Sequence, residues 1–61
     1  MFIFYRDHII NTDGLKDIHY FDTAKSMHFE YGDNYKIIIA CPKKEAEADL
    51  QKIFEMLEKR A

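Results

Sequence analysis

Two histidines, two acids and a lone cysteine are the residues of this chain whose types and spacing could do chemistry. In "KDIHYFDTAKSMHFEYGDNYKIIIACPKK", Asp17 and His19 sit two apart, as do His28 and Glu30, and Cys41 directly precedes Pro42. If the two alternating segments pair antiparallel through a four-residue connection, Asp22 to Lys25, then Phe21 opposes Ser26, Tyr20 opposes Met27 and His19 opposes His28. Asp17 and Glu30 form the next pair on the same face. Imidazole nitrogens and carboxylate oxygens are ordinary zinc ligands, so His19, His28, Asp17 and Glu30 are candidate metal ligands. Their arrangement follows from an inferred register and not from a ligand motif, and the same residue types suit the polar outer face of a half-buried sheet. The expectation is therefore no metal and no cofactor.

Cys41 poses a similar choice. A cysteine where a strand gives way to a helix, beside Lys43 and Lys44, has the setting of an activated nucleophile. It also continues the face of Ile37 and Ile39, where a free cysteine behaves as a small hydrophobe. Neither a second cysteine nor a glycine-rich turn that would present amides to an oxyanion accompanies it. Cys41 is expected to be buried and slow to react, and no catalytic residue is assigned. His8 beside Asp7 looks like an acid–base pair, but strand neighbours point to opposite faces, so both are read as turn residues.

The elements that position these groups follow from periodicity. "FIFYR", Phe2 to Arg6, is apolar at both phases and reads as a strand covered on both faces. A reversal at Asp7-His8, or a continuation through Ile9 and Ile10, leads to the turn chemistry of Asn11-Thr12-Asp13-Gly14. "KDIHYFD" alternates with Ile18 and Tyr20 on one face, and "SMHFEY" with Met27, Phe29 and Tyr31. "GDN", Gly32 to Asn34, fits a three-residue hairpin loop with Asn34 left-handed, which sets Tyr31 opposite Tyr35, Phe29 opposite Ile37, Met27 opposite Ile39 and Glu30 opposite Lys36. A two-residue loop would put Phe29 opposite Lys36. Pro42 ends the sheet and suits a helix start. Ala46, Leu50, Ile53, Phe54 and Leu57 then recur at helical spacing, with Glu45, Glu47 and Asp49 towards the start, and Lys59 and Arg60 at the end.

Sixty-one residues bound the chain to one domain, 1–61, that buries about 60% of its unfolded surface and gains from a partner or a metal. One cysteine excludes an intrachain disulfide. Nine Lys plus Arg against eleven Asp plus Glu give a net charge of −2, which offers nothing to phosphate or anionic lipid. The tyrosines and phenylalanines could stack bases, but without a basic groove they are read as core. No stretch reaches membrane-span length, and the start lacks a leader pattern, so the expected location is cytoplasmic.

The layout of "HIINTDGLKDIHYF", "EYGDNYKIII" and "EAEADLQKIFEML" resembles small bacterial chains in which short strands precede one helix, among them the flagellar FlbD-like proteins. It is also similar to the strand part of LytTR-type DNA-binding domains. The resemblance assigns no function and no residue roles.

These readings converge on an α+β domain: an antiparallel meander of about four strands with one C-terminal amphipathic helix across one face. A single helix covers only one side of such a sheet, leaving apolar residues on the other. The expected function is a small non-enzymatic protein-interaction module, self-associating as a homodimer, with Ile3, Tyr5, Phe21 and Ile38 at the interface. The alternatives are a metal- or thiol-dependent small enzyme, and a nucleic-acid-binding regulatory module using Lys16, Lys25, Lys36, Lys43, Lys44 and Lys52.

Overall fold

The computed structural model describes residues 1 to 59. The apolar run at the start does not extend into a long strand but folds back on itself. β1 (Phe2–Tyr5) and β2 (His8–Asn11) pair antiparallel, with Ile3 opposite Ile10 and Phe4 opposite Ile9. The reversal falls at Arg6-Asp7, one residue earlier than the sequence suggests, with φ of 44° and 67°. Two consecutive left-handed residues match the twist of a two-residue hairpin, and they are unfavourable without glycine, which points to a compensating side-chain contact.

After a turn that needs Gly14 at φ 81°, β3 (Leu15–Phe21), β4 (Ser26–Tyr31) and β5 (Lys36–Ala40) form a separate antiparallel sheet in the order β3-β4-β5. The fold is thus α+β with five strands in two sheets, not about four in one meander. The expected registers hold. His19 pairs with His28 and Asp17 with Glu30, while Phe29 pairs with Ile37 and Met27 with Ile39. Asp33 and Asn34, at φ 63° and 62°, close the three-residue loop. A register shift between Leu15 and Asp17 inserts Lys16 as an extra residue, which returns Leu15 to the core side while Asp17 stays on the far face.

Pro42 occupies the N-cap in extended backbone, one position before α1 (Lys43–Glu58). Of the cationic end, Lys59 is the C-cap and Arg60 lies outside the described residues. Ala46 and Ile53 of the helix, Met27, Phe29 and Ile39 of the larger sheet, and Ile3, Tyr5 and Ile10 of the hairpin meet in one core. The Tyr31 hydroxyl donates to the Asn11 carbonyl, and the Tyr20 hydroxyl donates to the Cys41 carbonyl 2.7 Å away. Both bonds tie the larger sheet to its neighbours.

Candidate functional site

The four residues singled out as possible metal ligands do converge, on the sheet face away from the helix. His19 Nδ1 lies 2.6 Å from Asp17 Oδ2, and its Nε2 lies 3.4 Å from Glu30 Oε2. His28 is buried, with Nε2 2.9 Å from Ser26 Oγ and Nδ1 without a hydrogen-bond partner among the described residues. Phe21 stacks flat on the His28 ring, centroids 4.2 Å apart and planes within 8°, and His19 tilts against both. Burial, with Lys36 and His19 nearby, holds the His28 pKa below the ordinary histidine value, so the ring is neutral at pH 7.

A second polar cluster joins the first hairpin to the helix, and sequence reasoning missed it. Asp49 Oδ2 accepts from the Tyr5 hydroxyl and from Arg6 Nε, each at 2.8 Å, and from the Cys41 thiol at 3.3 Å. Arg6 Nη2 also donates to Glu45 Oε1 at 2.5 Å. These contacts can offset the cost of the left-handed turn: from it the Arg6 guanidinium lies over the Tyr5 ring, 5.8 Å from its centroid, and reaches the helix. Burial works to raise the Asp49 pKa, but the hydrogen bonds from Tyr5, Cys41 and Arg6 outweigh it and hold the carboxylate below its usual range. Tyr5 is pushed above the ordinary tyrosine range by burial and by its Cys41 and Asp49 neighbours. A signal was present in the sequence. Asp49 falls three residues after Ala46 and four before Ile53, inside the apolar stripe, where a carboxylate needs a partner.

Cys41 is 2% exposed and points its thiol at Asp49. A buried thiol donating to a carboxylate is poorly placed to attack anything from solvent. With a thiol reagent at neutral pH, native Cys41 is expected to react on the order of 100-fold more slowly than in the unfolded chain. Equal rates would contradict this placement.

The expected interface residues divide. Ile3 and Tyr5, at 4% and 6% exposure, belong to the monomer's own core, because the hairpin turns that phase towards Phe29 and the helix; they are withdrawn as interface residues. The phase left in solvent is Phe2 and Phe4, so "FIFYR" is covered on one face only. Phe2, Phe4 and Ile9 are 64%, 63% and 72% exposed, with Phe4 and Ile9 directly paired. Phe21 and Ile38 remain exposed on the far face of the larger sheet, at 41% and 55%.

A groove of about 390 Å³ between β3 and α1 is lined by Ile18, Leu50, Phe54 and Leu57, with Glu47 its ionisable group. It holds none of the histidines. No helix among the described residues is long and apolar enough to cross a membrane. No protein-family model, curated protein or solved structure matches this chain.

Proposed function

We propose that this chain is a small cytoplasmic, non-enzymatic module that self-associates through the outer face of its first hairpin. The observation that carries this reading is the apolar trio of Phe2, Phe4 and Ile9, held on one face of the two-stranded hairpin and mostly exposed. Exposed contiguous apolar surface on a small domain commonly marks an interface. A second copy is the occupant the chemistry favours. The remaining member of that face is Asn11, so the patch carries no charge, and two copies related by a two-fold axis meet without like-charge repulsion. A chain this short also gains stability from association. Phe21 and Ile38 make a weaker second patch, because Phe21 already covers His28.

The patches are separated by Phe4→Asp and Phe21→Asp, each compared with wild type by sedimentation equilibrium. Burying one such aromatic is worth about 2 kcal/mol and is felt twice at a two-fold interface, so Phe4→Asp is expected to weaken association by at least about tenfold. Phe21→Asp should leave it nearly unchanged. The reverse pattern would move the interface to the far face of the larger sheet, and equal behaviour of all three proteins would overturn the proposal.

A further inference from the structure

We propose that His19, His28 and Glu30 form a binding site for a divalent transition-metal ion of the zinc class, with Asp17 positioning His19. One nitrogen from each ring and one Glu30 oxygen lie within 4.8 Å of one another, so small side-chain rotations bring all three onto one ion. The distance from His19 Nε2 to Glu30 Oε2, 3.4 Å, already equals the edge of a tetrahedron with metal–ligand bonds of about 2.0–2.1 Å.

Hydrogen bonding assigns the ligand atoms. His19 Nδ1 lies within hydrogen-bond distance of Asp17, so with its proton on that nitrogen the ring turns Nε2 towards the Glu30 carboxylate as a free donor atom for a metal. In that tautomer the nitrogen and the carboxylate oxygen are two acceptors 3.4 Å apart, which a metal cation would bridge. A carboxylate behind a ligating histidine is the usual way of fixing the ring's tautomer and orientation. On the other side, His28 Nε2 is engaged by Ser26, and Nδ1 has no partner among the described residues although the residue is only 6% exposed. Leaving a buried polar atom unpaired is costly, and coordination removes that cost.

The element order makes the site possible. The four-residue connection sets His19 opposite His28, and the bulge at Lys16 lets Asp17 keep its far-face position while the strand before it returns to the core. Two histidines and one carboxylate are three protein ligands, which leaves a fourth position on this open face for water or an exogenous donor. Nitrogen-rich ligation selects zinc, nickel or copper over magnesium and calcium. Such an ion would fasten β3 to β4 at the end of the sheet nearest Asp17.

The test is calorimetric titration of Zn²⁺ into the chelator-stripped full chain, with Co²⁺ absorption to report coordination geometry. One equivalent is expected to bind with a Kd on the order of 10 μM or tighter, with a raised Tm, and Mg²⁺ should give no heat. Glu30→Gln and His19→Gln, both at half-exposed positions and checked for folding by circular dichroism, should each weaken binding by about tenfold or more. Asp17→Asn should weaken it less, and His8→Gln should change nothing. No saturable binding below about 100 μM overturns the site. So does affinity unaltered by Glu30→Gln and His19→Gln, or lost with His8→Gln.

Discussion

Phe29→Ala is expected to leave the chain largely unfolded at 25 °C. Phe29 is completely buried, pairs with Ile18 on one side and Ile37 on the other, and packs against the Tyr5 ring at 5.7 Å. It therefore touches both sheets, and the helix closes over the same cluster. Truncating a buried phenylalanine costs about 3–5 kcal/mol through lost transfer energy and the cavity left behind. A small single-core domain has a total stability of only about 3–5 kcal/mol, so the loss is comparable to everything available. Far-ultraviolet circular dichroism during urea titration checks this. A cooperative transition within about 1 kcal/mol of wild type would show that the core does not depend on Phe29.

Asp49→Ala is expected to be the next most damaging change, at about 2–3 kcal/mol, because it removes the shared acceptor of Tyr5, Arg6 and Cys41 and leaves a buried hydroxyl without one. Asp49→Asn keeps an acceptor but loses the charge, and should cost less. The same cluster fixes the pH dependence. Asp49 has a folded pKa below its unfolded value, so its contribution is present above the ordinary carboxylate range and is lost as the pH falls through the depressed value. Tyr5 is raised, so its contribution is complete below its ordinary value of 10.0 and declines as the pH rises beyond it. His28 is lowered, so a separate decline begins as the pH drops below 6.5. In Asp49→Ala, the loss below about pH 4 should flatten while the His28 step persists, and urea midpoints measured from pH 3 to 11 read both. An unchanged acid limb in that variant would contradict the assigned role.

Much of the larger sheet was legible in the sequence, because period-two alternation and hairpin loop length together leave one register that keeps Met27, Phe29, Ile37 and Ile39 on one face. The matching loop-length argument for the first two strands of this sheet sets His19 opposite His28, as observed. The first hairpin was harder. A two-residue reversal normally advertises itself with Asn-Gly or Asp-Gly, whereas Arg6-Asp7 carries no such mark, and Arg6 instead contacts Asp49 and Glu45, 43 and 39 residues away. Ile3 and Tyr5 lie in the core and not at the expected interface, since "FIFYR" is apolar at both phases and periodicity cannot say which side faces inward. The unpartnered His28 nitrogen is likewise a three-dimensional fact. It depends on Ser26 claiming Nε2 and Phe21 covering the ring.

The proposed self-association is tested most directly by the molar mass in solution. Sedimentation equilibrium of the full chain from about 1 to 500 μM is predicted to show a mass rising from that of the 7.3 kDa chain towards twice that value, with a midpoint in the micromolar range. A mass that stays at one chain up to the highest concentration would contradict the account, and the hairpin face of Phe2, Phe4 and Ile9 would then be solvent-exposed surface and nothing more.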